Sequence, residues 1–360
     1  MGTRVVTAVA ENVPAPLDRI VDEISALFSA GHEVIVVSSG AIGLGMKKMG
    51  LSQRPRDLRK KQAVAAIGQL ALMERYEQLF ARQKIFVAQV LLTRADFEDR
   101  KRYLNARSTL LTLLDLNVIP IINENDTVAV EEIQFGDNDR LSALVAAKIN
   151  ADLLVILTDV EGLYSGHAQK GLGGKGQLVS IVPQITPEVE GLVVKGKKSA
   201  LGTGGMTSKL DAARIATASG VLTVVASGFV PEVLPDIFKG ENVGTRFLPQ
   251  GGLSAKDRWI LFGAIPRGQI WVDAGARHAI KNLKKSLLPA GVTKVDGFFQ
   301  KGDVVMIVSE DGKDLARGVV SMDSGDVKKI KGKKSSEIQD IIGRYAKSFE
   351  IVQCDSLILI

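Results

Sequence analysis

Cysteine is almost missing from this chain: there is one, Cys354, in 360 residues. A single thiol excludes an intramolecular disulfide framework and fits a reducing, cytoplasmic compartment. Histidine is nearly as scarce, and His32, His167 and His278 are scattered. No His/Cys metal-ligand spacing exists, and a Ser-His-Asp triad has no support. No apolar run reaches the roughly 18 residues that a membrane span needs. The opening Met1-Gly2-Thr3-Arg4-Val5-Val6-Thr7 lacks the long apolar core of a signal peptide, and Val6 stands where an N-myristoylation motif wants Ser or Thr. A soluble, cytoplasmic protein without membrane attachment is expected.

What is present is ordinary for a globular protein: 46% hydrophobic and 24% charged residues. The length suits two domains. Glycine is enriched, at 36 residues, which points to tight turns or close approaches of backbone to ligand. The formal net charge is +6 and uneven: residues 256–360 hold 18 Lys plus Arg against 13 Asp plus Glu. The basic excess lies in the last third.

Up to about residue 248 the pattern alternates between helix and strand. Leu17–Phe28 carries apolar residues at helical spacing, and Gly31 ends it. Residues 33–38 form a β-branched run of the kind buried on both faces of a sheet. Further strands are predicted at 86–92, 118–122, 153–157 and 222–226, with helices around 61–82, 104–114, 141–149 and 210–219. This alternation predicts an α/β fold, a mostly parallel sheet covered by helices on both faces. Residues 248–254 read as a linker. Beyond it, short strands at 268–273 and 302–308 predict a small β-barrel or mixed domain.

Five polar stretches fall at strand ends or helix starts. Leu201-Gly202-Thr203-Gly204-Gly205-Met206-Thr207-Ser208-Lys209 precedes an amphipathic helix, so backbone N–H groups, the helix N-terminus and Lys209 could meet an anion. Its spacing matches neither the P-loop nor the dinucleotide fingerprint, and a glycine-rich loop with a cap at Thr207 or Ser208 fits equally well. Asn123-Glu124-Asn125-Asp126 follows a strand, and Gly136-Asp137-Asn138-Asp139 precedes a helix; alone, each reads more simply as a loop or an Asp N-cap. Ser38-Ser39-Gly40-Ala41 and Leu157-Thr158-Asp159 also close strands, where turn chemistry would suffice. Together, however, they line the sheet edge at which doubly wound folds bind ligands.

In this order, the stretches resemble the amino-acid kinase family and, within it, glutamate 5-kinase. The matching strings are residues 37–42, Leu92-Thr93-Arg94-Ala95-Asp96, Asn105-Ala106-Arg107, Asn123-Glu124-Asn125-Asp126, residues 136–143, Leu157-Thr158-Asp159 and Gly202-Thr203-Gly204-Gly205-Met206. The second, fourth and fifth together separate this family from acetylglutamate, aspartate, carbamate and uridylate kinases. The tail resembles a PUA domain, a β-rich module often found in RNA-modifying enzymes. The resemblance implies a kinase domain at 1–248 and a PUA-like domain with tail at 264–360. It also implies transfer of phosphoryl from ATP, with Mg2+, to the side-chain carboxylate of L-glutamate, the first step of proline synthesis. ATP falls on Thr158, Asp159 and the loop Thr203, Gly204, Gly205, Met206, Thr207, Ser208 and Lys209. Glutamate falls on Ser39, Asp126 and Asn138, with Asp137 beside it. Lys209 would stabilise the moving phosphoryl group, and Asp139 would hold the catalytic lysines. A carboxylate nucleophile is already ionised at neutral pH, so no general base is needed. Feedback inhibition by L-proline is common in the family, a homo-oligomer is expected, and the basic run Lys328, Lys329, Lys331, Lys333 and Lys334 could contact RNA weakly.

One departure stands out. The family opens on a strand ending Lys-Leu-Gly-Thr, of which Gly2-Thr3 match the end while Met1 replaces the aliphatic residue. The lysine that contacts the ATP phosphates has no counterpart. The expectation is therefore that the protein begins several residues upstream of Met1. The alternatives are another amino-acid kinase, or a catalytically impaired nucleotide- or RNA-binding relative.

Overall fold

The buried β-branched runs form the sheet strands, and their order decides where the polar stretches meet. The structure, a computed structural model, describes residues 1–8, 15–128, 138–165, 176–193, 205–334, 337–338 and 349–360. It divides into two units, Met1–Gly252 and Leu253–Ile360.

In the first unit the strands are β1 (Val36–Val37), β2 (Phe86–Leu92), β3 (Val118–Glu124), β4 (Leu153–Thr158), β5 (Tyr164–Ser165), β6 (Gln177–Leu178), β7 (Ile181–Val182), β8 (Leu222–Ser227) and β9 (Thr245–Phe247). The helices are α1 (Thr3–Thr7), α2 (Pro16–Ser29), α3 (Ala41–Lys48), α4 (Leu58–Ala81), α5 (Ala95–Glu98), α6 (Arg100–Asp115), α7 (Asn138–Ile149), α8 (Pro187–Gly191), α9 (Met206–Ala218) and α10 (Val233–Phe238). One sheet has the order β1-β3-β2 and another the order β4-β8-β9-β7. All pairs in them are parallel except β8 with β9. Met1 and Gly2 run between the two sheets. The Met1 amino group donates to Val37 O at 2.7 Å, Ser39 N donates to Met1 O, and Gly2 N donates to Leu157 O.

The strand predicted over 33–38 is cut to Val36–Val37. The cause lies in its partner. Ser38 N donates to Ile122 O, so alternate residues of β3, Ile122 and then Pro120, face β1. On the register Val36↔Ile121, Ile35 comes opposite Pro120, which has no N–H to give. The ladder stops there. The helix predicted from 210 instead begins at Met206, with Gly205 as an N-cap that makes no side-chain bond. Thr207 and Ser208 therefore lie inside its first turn and are not caps.

A core of Ile20, Val21, Leu72, Tyr76, Phe80, Ile119, Ile121 and Val224 fills the space between the helices and the strands. Gly40, at φ 104°, makes the left-handed turn from β1 into α3, a conformation that a side chain would strain. α3 then lies directly on α4. A Cβ on Gly68 would sit 1.7 Å from Ala41 O, and one on Gly45 would sit 2.0 Å from Val64 O.

On α7, facing α5 and α6, lies a buried cation. Lys148 is 1% exposed, its Nζ has no hydrogen-bond partner, and it sits over the rings of Phe97 at 4.1 Å and Tyr103 at 4.3 Å. Burial drives its ammonium down to about 7, against the opposing pull of Asp96.

The second unit contains a five-stranded mixed sheet, order β11-β10-β12-β13-β14, from β10 (Gly268–Val272), β11 (Val292–Gly297), β12 (Val304–Ser309), β13 (Asp314–Val320) and β14 (Val352–Leu359). Helices α11 (Ala255–Arg258), α12 (Ala274–Leu283) and α13 (Ser324–Ile330) accompany it. Ile270, Val272, Ile307, Phe299 and Val327 form its core. Val327 and Ile330 of α13 point inward, while Lys328, Lys329, Lys331, Lys333 and Lys334 are exposed.

Gly68→Ala must push α3 off α4, so chemical denaturation should show a loss of about 3 kcal/mol or more; an unchanged midpoint contradicts the close packing. For Lys148 the folded state resists protonation, so between about pH 7 and 10.5 the unfolded chain binds more protons and stability should rise with pH. Below about pH 7 the full cost is present, on the order of a few kcal/mol. Lys148→Met should therefore raise the melting temperature at pH 7, and the gain should shrink towards pH 10. A loss, or a gain that ignores pH, counts against it.

Candidate functional site

The parallel strands deliver their polar ends to one edge. Ser38 and Ser39 follow β1, Asn123 and Glu124 end β3, and Thr158 and Asp159 close β4. The start of α7 brings Asn138 and Asp139 to the same place, and the first turn of α9 brings Ser208 and Lys209. A cavity of about 830 Å³ is lined by Ser39, Asp126, Asn138, Asp139, Thr158, Asp159 and Lys209, all of them candidates from the sequence. Gly205, Met206, Thr207 and Ser208 are not among its lining residues. Asp137, Thr203 and Gly204 lie outside the described residues.

Asn138 is the knot on one side. Its Nδ2 donates to Ser38 O and Ser39 Oγ at 2.8 Å and to Asn123 Oδ1 at 2.9 Å. Asn123 Nδ2 in turn donates to Gln69 Oε1 of α4 at 2.8 Å. Ser38 Oγ shares a 2.8 Å bond with the hydroxyl of Tyr76, a fully buried phenol whose ionisation burial pushes far up. These side chains fix the β1–α3 turn to β3 and α4.

Asp139, the next residue, ties the other side. Its Oδ2 accepts from Lys209 Nζ at 3.0 Å and from Ser208 Oγ at 2.8 Å. Both partners of the ion pair are nearly buried, at 10% and 12% side-chain exposure. A pair shielded this far from water is stronger than a surface pair, and removing one partner leaves the other charge uncompensated.

Two further carboxylates carry shifts. Burial alone would raise Asp159, but its own backbone N–H, the Thr158 hydroxyl and Arg4 together bring it below the usual range. Arg4 forms an ion pair with it. Burial raises Asp126, and Arg54 opposes that rise. Among the described residues no group of three or more His, Cys, Asp or Glu side chains could hold a metal ion, and no helix is long and apolar enough to cross a membrane.

Sequence reasoning missed Arg4, Gln69, Tyr76 and Arg54. Arg4 directly follows Gly2-Thr3, so its neighbourhood was legible; its partner, 155 residues away, was not. Gln69 and Tyr76 read only as positions in a long helix. Lys47, Arg54, Arg56 and Lys61 also line the cavity, and only the packing of α3 on α4 brings them there.

Residues 1–227 match the amino acid kinase family, and residues 268–342 match the PUA domain. A Moorella thermoacetica protein named glutamate 5-kinase is 48% identical over 345 residues, 96% of this chain and 90% of that protein. Proteins of the same name from Dehalococcoides mccartyi (strain CBDB1) and Myxococcus xanthus are 45% and 47% identical. They align over 94% and 91% of this chain, and over 91% and 86% of their own lengths.

Proposed function

The chain belongs to the amino acid kinase family, among the glutamate 5-kinases, and from that premise we propose that it transfers the terminal phosphoryl group of ATP to the side-chain carboxylate of L-glutamate. The product is glutamyl 5-phosphate, and the step opens proline synthesis. The observation that carries this reading is the pair of consecutive residues Asn138 and Asp139. One is bonded to Ser39 on the acceptor side, the other to Lys209 on the phosphoryl side.

In this assignment Thr158, Asp159 and residues 203–209 hold ATP, while Ser39, Asp126, Asn138 and Asp137 hold glutamate. The nucleophile is a carboxylate, so the protein has no proton to remove. Its task is to bring one anion to another and to offset the charge that gathers on the moving group. Lys209, preset by Asp139, supplies a full positive charge at the start of α9 without reorganising. Magnesium would accompany the ATP phosphates and neutralise part of their charge; that is the chemistry it would supply when bound. Arg4, paired with Asp159, adds a second cation near the nucleotide side. The acyl phosphate hydrolyses readily, so closure against water matters.

The proposal extends to a cytoplasmic homo-oligomer under feedback control by L-proline. It also extends to weak RNA contact through the exposed lysines at 328, 329, 331, 333 and 334, which must fade steeply with salt.

Glutamate-dependent release of ADP, with the acyl phosphate trapped by hydroxylamine, tests the reaction; binding of ATP without glutamate turnover would contradict it. Lys209→Ala should lower turnover by about 10²-fold or more, as for loss of one preset transition-state partner. A loss below about threefold removes Lys209 from the chemistry. Asp126→Ala should raise the Michaelis constant for glutamate more than that for ATP; equal effects contradict its place on the acceptor.

A further inference from the structure

α4 is the longest helix among the described residues, 24 residues from Leu58 to Ala81, and its two sides differ. The inner side is spent within the unit: Val64, Leu72, Tyr76, Leu79 and Phe80 are buried, and Val64 and Gly68 lie against α3. The outer side carries Arg59, Ala63, Ala66, Leu70, Met73 and Glu77, which follow one another at intervals of four, three, four, three and four. That spacing is the seam of a helix that packs lengthwise on another helix. Here the seam faces outward. Leu70 is 67% exposed, Arg59, Ala63, Ala66 and Glu77 are exposed, and Met73 is half-buried.

The contents of the seam identify its occupant. Its middle is apolar, its first position is a cation and its last an anion. Turned end for end about the point midway between Ala66 and Leu70, it meets its own complement. Arg59 then faces Glu77, Ala63 faces Met73 and Ala66 faces Leu70, so each charge meets its opposite and each alanine meets a larger side chain. Parallel pairing would set Arg59 on Arg59 and Glu77 on Glu77. A two-fold interface demands self-complementarity of this kind. The neighbouring sheet edge points the same way. β2 ends its sheet, packs against α4 and leaves Phe86 76% exposed, and an apolar edge of this kind needs cover.

We propose that a second copy of this chain packs its α4 antiparallel on the first, with Arg59 of each copy paired to Glu77 of the other. This rests on the homo-oligomer proposed above and gives that assembly an interface. Gln69 and Tyr76 of the same helix hold Asn123 and Ser38, so the seam backs the acceptor side of the site.

Sedimentation velocity of the full chain at micromolar concentration tests this. The wild-type chain should be a dimer or a larger even assembly. Arg59→Glu sets a carboxylate against Glu77, and Glu77→Arg sets a guanidinium against Arg59, twice in each interface by symmetry. Each variant should weaken association by about tenfold or more and leave a smaller species. Mixed in equal amounts, the two variants should regain the wild-type mass, because each supplies the charge that the other lacks. A chain carrying both changes should regain it as well. A monomeric wild-type chain overturns the homo-oligomer, and this seam with it. A wild-type oligomer that both single variants leave intact, or variants that recover neither on mixing nor in the doubly changed chain, overturns the seam alone.

Discussion

The ion pair between Lys209 and Asp139 joins parts of the chain that are 70 residues apart in sequence, and the site takes its form from it. Asp139 stands on the first turn of α7 and Lys209 on the first turn of α9, so the 3.0 Å contact sets the starts of the two helices against each other. Asn138, one residue earlier, fixes the same helix start to the end of β1 and the end of β3. Two strand ends and two helix starts are therefore held by two adjacent side chains. A pair this little exposed is costly to break by removing one partner, and that cost keeps the cation where a moving phosphoryl group would need it.

Two of the cations that line the cavity are held by carboxylates, Lys209 by Asp139 and Arg4 by Asp159. A reaction that brings a triphosphate and a dicarboxylic amino acid together needs many positive groups, yet unpaired cations in one cleft would repel each other and disfavour folding. Holding Lys209 and Arg4 against carboxylates offsets part of the positive charge until the ligands arrive. Lys148 shows the opposite case. It is buried over aromatic rings without a hydrogen-bond partner, and its ammonium falls to about 7.

Much of this was legible in the sequence because the strands are buried on both faces. The runs at 118–122 and 153–157 have no polar residue and 222–226 has only Thr223, and they reappear as β3, β4 and β8 within a residue or two. Polar groups gather at the ends of such strands and at the start of α7, so the stretches holding Ser39, Asn138, Asp139 and Thr158 stood out together, while their roles came from the resemblance to the family. What could not be read depends on pairing across the chain. The run at 33–38 looks like a full strand, but its ladder fails at Pro120 on a neighbour 85 positions away. The start of α9 at Met206 was hidden because Thr207 and Ser208 are good caps in isolation; Ser208 instead turns to Asp139, a bond that no local pattern announces. Arg54 lay in a stretch that reads only as a polar loop, and the close contact of Gly45 and Gly68 brings its helix pair against the cavity.

In the proposed reaction Asp139 acts through Lys209 to preset charge for phosphoryl transfer. A double-mutant cycle on glutamate-dependent ATP turnover, with Lys209→Met, Asp139→Asn and the double variant, measures this coupling directly. If the two act as one unit, the double variant should be little worse than Lys209→Met alone, because either change already removes the preset charge. Effects that multiply, each variant contributing its full loss in the other's background, would show that the two residues work independently and would contradict the account.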